Sequence, residues 1–195
     1  LGVLGIARGY CAIGRNLVFW SYVLPPALMF AGVFAYAAVN SFLLIDEIGL
    51  SEQLYGATYS FAACAYVAGS LAGRVLVRKV GVDRSILIGL MIGIIAAIMA
   101  FLASVNFQIS IALILMPGLS MFFSTSLILP AASSVAVSLF PGDAGSASAL
   151  TGFVQISFAG IGSAIAAYLY DNTTMPLHAF TLACCTLAIF VWMAG

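Results

Sequence analysis

Charged residues are scarce in this sequence. Only 6% of its 195 residues are Asp, Glu, Lys or Arg, and a single histidine accompanies them. A soluble globular domain carries about 25% charged residues because its surface must face water. The composition therefore does not fit a soluble enzyme, a disordered chain or a nucleic-acid-binding protein, which requires a basic face.

Groups that could hold a metal or carry out chemistry are also scarce. The cysteines have no metal-ligand spacing, and we interpret them as buried free thiols: Cys11, Cys64, Cys184 and Cys185. No pair of carboxylates stands inside an apolar segment. We therefore expect no metal, no cofactor and no enzymatic activity, and a membrane enzyme is the most distant alternative.

Hydrophobic residues make up 64% of the chain and fall in long runs separated by short polar turns. A helix needs about 20 mostly apolar residues to cross a bilayer, and a backbone inside lipid must satisfy its own hydrogen bonds. We expect an all-α membrane protein with six transmembrane helices. These spans cover about residues 19–45, 54–77, 86–105, 109–139, 145–170 and 177 onward.

The basic residues orient these spans. They lie either before the first span or around the connection between the second and third: Arg8, Arg15, Arg74, Arg78, Lys79 and Arg84. Two crossings separate the two places, so both lie on one side, which the positive-inside rule makes cytoplasmic. The first connection, with Asp46, Glu47 and Glu52, would lie outside. Both ends of the chain would then face the cytoplasm.

Polar and aromatic residues recur at helical spacing in several spans and mark a candidate site. A side-chain amide such as Asn40 or Gln155 is costly to expose to lipid, so we expect each to face protein or water. Aromatic faces suit apolar or cationic molecules through burial and cation–π attraction. The predicted substrate-binding residues are Tyr36, Asn40, Tyr59, Tyr66, Phe122, Phe123, Ser124 and Gln155. Helix packing is the alternative for small residues, above all for Gly69 and Gly73.

Three stretches resemble the major facilitator superfamily. Residues 73–84, GRVLVRKVGVDR, resemble its signature cytoplasmic loop, without the acidic residue usual in the middle. Residues 144–152, AGSASALTG, preceded by LPAA at 129–132, are similar to the region between the fourth and fifth spans in the Bcr/CflA drug-resistance transporters. Residues 30–36, FAGVFAY, with GLS at 49–51, resemble the seventh helix and following loop of that family.

The resemblance implies that this chain is the C-terminal six-helix half of a twelve-helix, proton-coupled exporter in a bacterial inner membrane. Residues 1–18 would be the cytoplasmic connection between the halves, and residues 19–195 the transmembrane bundle. The first, second, fourth and fifth spans would face the pore, with the third and sixth as outer supports. The implied partners are an N-terminal half, the lipid bilayer, protons and a small-molecule substrate.

Proton coupling needs a group that changes its charge within the membrane. Asp46 and Glu47 end the first span and His178 begins the sixth, so we expect all three at the outer interface. No ionisable Asp, Glu, Lys, Arg or His is then expected deep in a span. The proton carrier is accordingly expected in the N-terminal half.

The basic loop has two interpretations. Arg74, Arg78, Lys79 and Arg84 would hold a cytoplasmic gate through charge pairs, or they would only orient the chain. Two other functions also stay open: a non-transporting scaffold subunit with a half-transporter fold, and a metabolite or nutrient carrier of the same superfamily. Side chains from both halves select the substrate, so one half does not name it.

Overall fold

The computed structural model describes the backbone of residues 3–106 and 110–195, and side chains within these ranges from residue 9 onward. In that part of the chain the regular elements are all helical. They are α1 (Val3–Gly14), α2 (Leu17–Ser41, continued by a π-helical segment Phe42–Glu47), α3 (Glu52–Val80), α4 (Val82–Asn106), α5 (Ile111–Ser138), α6 (Ala144–Leu169) and α7 (Met175–Ala194).

Six of these helices, α2 to α7, are long and apolar enough to cross a membrane. The expectation of an all-α membrane protein with six spans is confirmed. The largest shift in a boundary is at the start of α4, which begins at Val82 instead of residue 86. Hydrophobicity marks only the part of a helix that lies in lipid, and this helix continues through Asp83 and Arg84 into the polar region.

Local signals in the sequence set the ends of several helices. Asn16, Ser51 and Ser110 cap the N-termini of α2, α3 and α5, each accepting a hydrogen bond from a backbone N–H of the first turn. Gly81 alone separates α3 from α4 and adopts φ +87°. A side chain at that position would be strained, so glycine permits the abrupt reversal between the two spans.

Helices α2 and α5 form the centre of the bundle. They pack against each other, α2 also packs against α6 and α7, and α5 also packs against α3 and α4. The α4–α7 pair is in mutual contact and covers one side of α2 and α5. The opposite side of the α2–α5 pair lies between α3 and α6. Of the six spans, α3 is the least buried.

Small residues bring the central helices close to their neighbours. A Cβ atom at Gly69 or Gly73 would overlap the carbonyl oxygen of Phe123 or Leu127 on α5. At Gly162 on α6 it would overlap a backbone carbonyl of α2. Gly69 and Gly73 therefore serve helix packing, as their small-xxx-small spacing indicates.

Charge is divided between the two ends of the bundle. The Tyr22 hydroxyl donates to Asp83 Oδ1 at 2.6 Å, and the Trp192 ring lies 5.4 Å from the Tyr22 ring. The starts of α2 and α4 and the end of α7 thus share one end, which we call the basic end because Arg15 and the α3–α4 connection lie there. The opposite, acidic end carries the exposed side chains of Asp46, Glu47, Glu52 and Asp171. At that end, burial and the neighbouring carboxylates raise the pKa of Tyr170.

The cysteines differ in exposure. All four are free, and Cys184 and Cys185 are buried in α7 as expected. The expectation of burial is wrong for Cys11 and Cys64, which are exposed. Cys11 lies on α1, outside the six spans, and Cys64 lies on the spanning helix α3, where an apolar run does not imply that each residue is buried in protein.

Candidate functional site

Two adjoining cavities lie between α2, α3 and α5. The first, the inner cavity, has a volume of about 20 Å³ and its polar lining consists of Tyr36, Asn40, Thr58 and Tyr59. The second, the outer groove, has a volume of about 480 Å³ and is almost wholly apolar. The aromatic residues that line the outer groove are Phe34, Tyr59, Tyr66 and Phe122. Tyr59 and Phe122 line both spaces, so the inner cavity and the outer groove lie side by side.

Asn40 is the polar residue that stands out in the inner cavity. It lies one helical turn beyond Tyr36 on α2, so both side chains project from one face of that helix. The Asn40 Oδ1 atom is buried and has no hydrogen-bond partner among the described residues. Most buried polar atoms in proteins have a partner, so Asn40 is the least satisfied polar side chain among the residues that line the inner cavity.

The hydroxyl groups of α3 are already occupied as donors. Thr58 Oγ1 donates to the Tyr55 carbonyl at 2.7 Å, and the Tyr55 hydroxyl donates to the Tyr59 hydroxyl at 3.0 Å. The Tyr59 hydroxyl in turn approaches the Ala37 carbonyl of α2 at 3.5 Å. The hydroxyl hydrogens of Thr58 and Tyr59 therefore have acceptors within the protein, and the Asn40 amide is left as the polar group with an unpaired buried atom in this lining.

The Tyr36 hydroxyl turns away from this chain of hydroxyls toward α7. It lies 2.8 Å from Nδ1 of His178, and the exposed fractions of the two side chains are 2% and 0%. His178 lies in the first turn of α7, at the end of its span, and the packing of α7 against α2 encloses its ring. The expectation that it lies at the outer interface stays a prediction.

Five of the predicted substrate-binding residues meet at this site. The inner cavity and outer groove bring together Tyr36, Asn40, Tyr59, Tyr66 and Phe122. Thr58 and Phe34 also line these spaces and were missed by the sequence reasoning. Thr58 is an i, i+4 neighbour of Ala62 and Phe34 is an i, i+3 neighbour of Ala37, and that helical spacing is the signal that could have found them.

The other three predicted residues lie elsewhere. Phe123 is half-buried and places its carbonyl against Gly69 of α3. Ser124 is fully buried, donates to the Met121 carbonyl at 3.2 Å and faces α4. Gln155 is half-buried and its Nε2 donates to Ser133 Oγ of α5 at 3.2 Å. Consecutive residues of a helix point in different directions, so Phe122 reaches the cavities while its two successors do not.

No protein-family model and no curated protein matches this chain. Its function is therefore argued from the geometry of the site and from the resemblance of its short motifs.

The basic residues of the predicted gate divide into two pairs. Arg74 and Arg78 line a third cavity of about 280 Å³ between α3 and α5, near the basic end. Lys79 and Arg84 are exposed and lie outside the lining of this cavity.

Proposed function

We propose that this chain is one half of a secondary active transporter that exports small apolar or cationic molecules. The observation that carries the proposal is the pair of adjoining spaces, the inner cavity and the outer groove. They are lined by the Asn40 amide group and a set of aromatic side chains, inside spans that are otherwise strongly apolar. A polar side chain in such a span is costly, and a binding site for a substrate accounts for its presence.

The arrangement of the helices supports a half-bundle of the major facilitator type. In the resemblance described above, the first, second, fourth and fifth spans face the pore. These spans are α2, α3, α5 and α6, and the first three of them line the cavities. The remaining two, α4 and α7, pair with each other on the other side of α2 and α5. An N-terminal six-helix half would close the site from the side of α3 and α6.

Alternating access provides the mechanism. The two halves would rock about the central site and expose it first to one side of the membrane and then to the other. The basic end would be cytoplasmic by the positive-inside rule, in a bacterial inner membrane. Arg74 and Arg78 would close the inner side by pairing with acidic groups of the N-terminal half, which would also carry the coupling proton.

Export is tested with bacterial cells that carry or lack the full-length gene. We expect the gene to lower the accumulation of at least one lipophilic cation in a resistance and dye-uptake panel, and a protonophore to restore accumulation. Tyr66→Ala should weaken this effect because it removes an aromatic wall of the outer groove. The matched control is Tyr168→Ala, since Tyr168 on α6 is 89% exposed and lines neither space.

Two results would count against a transporter. Equal accumulation of every compound with and without the gene would favour a scaffold subunit. Equal loss of export in the Tyr66→Ala and Tyr168→Ala proteins, at normal amounts in the membrane, would mean that the outer groove does not bind the substrate.

A further inference from the structure

Three sulfur-bearing side chains meet in the interior of the bundle, where α2, α5 and α7 come together. Cys185 Sγ on α7 lies 3.6 Å from Sδ of Met29 on α2 and 3.8 Å from Sδ of Met121 on α5. The exposed fractions of these side chains are 1%, 0% and 1%. We call the three residues the sulfur cluster, and none of them lines the inner cavity or the outer groove.

The contacts within the sulfur cluster favour a cation among the three sulfur atoms. A thiol has one hydrogen to donate and a thioether has none, so at least one of the two sulfur–sulfur contacts lacks a hydrogen between its atoms. With metal–sulfur bonds of about 2.3 Å, sulfurs around a three-coordinate ion are about 4.0 Å apart, and those around a four-coordinate ion about 3.8 Å. The observed 3.6 and 3.8 Å differ from these values by a few tenths of an ångström.

Glycines seat the methyl ends of both methionines. A Cβ atom at Gly93 of α4 would lie 2.5 Å from the Met29 methyl carbon, and one at Gly32 of α2 would lie 2.8 Å from the Met121 methyl carbon. Each thioether is therefore held between a glycine and the thiol of Cys185. Methionine is otherwise a flexible side chain, so this packing directs both sulfur atoms toward one point.

The sulfur donors and their burial specify the ion. Thiolate and thioether ligands select soft cations such as Cu(I). A thiolate carries one negative charge and a thioether none, so a monovalent ion leaves the cluster neutral, whereas a divalent ion leaves a costly net charge in the interior. We propose that the sulfur cluster binds one soft monovalent cation, Cu(I) or its analogue Ag(I). A bond from the metal to Cys185 Sγ replaces the S–H bond, the proton leaves to the solvent, and the metal keeps its oxidation state.

The seam between α2 and α7 connects the sulfur cluster with the acidic end. His178, Thr181 and Cys185 follow one another at helical spacing on α7. The ring of His178 lies beside Tyr36 of α2, and Thr181 lies beside Gly32 of the same helix. An ion that enters along this seam meets an imidazole and a hydroxyl before the sulfurs. The inference goes beyond the proposed function, because no part of it requires transport.

The test measures Cu(I) binding to the full-length protein in lipid nanodiscs. The exposed thiols are removed by Cys11→Ser and Cys64→Ser, which gives the parent protein for all comparisons. Affinity is measured by competition with the chelator bicinchoninate, with ascorbate present and oxygen excluded. At one equivalent of copper, X-ray absorption should show three sulfur neighbours at about 2.3 Å. Ag(I) should displace the copper, and Zn²⁺ should not.

Substitutions of the three ligands locate the ion. Met29→Leu and Met121→Leu change the volume little, and each should weaken Cu(I) binding about tenfold or more and lower the sulfur count to two. Cys185→Ser removes the anionic ligand and should weaken binding about a hundredfold or more. The matched controls are Cys184→Ser, whose side chain projects about 100° away around α7, and Met193→Leu at an exposed position of that helix. Both should bind copper as the parent protein does.

Several outcomes would overturn the inference. They are no retention of Cu(I) by the parent protein, unchanged affinity and sulfur count in both methionine variants, equal losses in the Cys184→Ser and Cys185→Ser proteins, or displacement of copper by Zn²⁺. If the C185S protein does not accumulate, the two methionine variants decide the question alone. Export in the cellular panel does not involve the sulfur cluster, so failure here is distinct from failure of the proposed function.

Discussion

The hydrogen bond between Tyr36 and His178 joins the first and last spans of the bundle, and its removal should weaken the fold. The Tyr36 hydroxyl oxygen and Nδ1 of His178 are 2.8 Å apart, and both side chains are buried. When one of the two residues is substituted, the other therefore keeps an unpaired polar atom in the interior. Such an atom costs about 1–3 kcal/mol. We expect Tyr36→Phe to lower the free energy of unfolding by about that amount, because it leaves Nδ1 of His178 unpaired.

His178→Leu acts differently from Tyr36→Phe. It leaves the Tyr36 hydroxyl unpaired, but it also removes Nε2, a buried nitrogen that makes no hydrogen bond of good geometry among the described residues. Its effect should therefore fall near the lower end of the same range. The protein with both substitutions leaves no unpaired partner, so its loss of stability should be smaller than the sum of the single losses by about 1 kcal/mol.

Reversible unfolding of the full-length protein in mixed detergent micelles measures these free energies. Tyr168→Phe is the matched control, because the Tyr168 side chain is 89% exposed, and it should change stability by less than about 0.5 kcal/mol. Interhelical hydrogen bonds in membrane proteins average about 0.6 kcal/mol, so a coupling near 1 kcal/mol is resolvable but not large. Additive effects are the contrary outcome: the loss of stability in the doubly substituted protein would equal the sum of the losses from Tyr36→Phe and His178→Leu within about 0.3 kcal/mol. That result would refute the idea that the two side chains act as a pair.

Two further predictions concern packing and orientation. Gly69→Ala should destabilise the protein in the same assay, because the added Cβ meets the backbone of α5, whereas Gly152→Ala should be neutral or stabilising, since a Cβ there meets no atom within 4 Å. In a chain whose native cysteines are replaced by serine, an impermeant maleimide added to whole cells should label Ser51→Cys and not Arg84→Cys. The reverse labelling pattern would show that the chain has the opposite orientation in the membrane.

The spans could be predicted from the sequence because lipid imposes one demand on each of them. A backbone at membrane depth must be helical, and about 20 apolar residues are needed to cross. The π-helical segment at Phe42–Glu47 had no comparable signal, since it differs from an α-helix only in how its carbonyls are paired. Hydropathy thus determines where a helix crosses and leaves its fine geometry open.

The candidate site could be predicted only in part, because hydropathy gives the depth of a residue and not its neighbours. Tyr36 and Asn40 lie on one face of α2 by their spacing alone, and that placement is observed. His178 lies near the end of its span by the same criterion, yet α2 covers it completely. Ser124 shares its depth with Phe122 but points to α4. Which helix stands beside each face is a tertiary property that the spacing does not contain.

Asn40 differs from the other buried polar residues that have an unpaired atom. Ser85 and Thr125 carry hydroxyl groups, which in a helix can rotate toward a carbonyl of the preceding turn. Each can therefore gain a hydrogen bond at little cost in free energy. His178 keeps one nitrogen bonded to Tyr36. The oxygen of Asn40 cannot reach its own helix in this way, and among these four residues Asn40 alone lines the inner cavity. Burying that oxygen without a donor costs stability, so a bundle selected for packing alone would gain stability from leucine at this position.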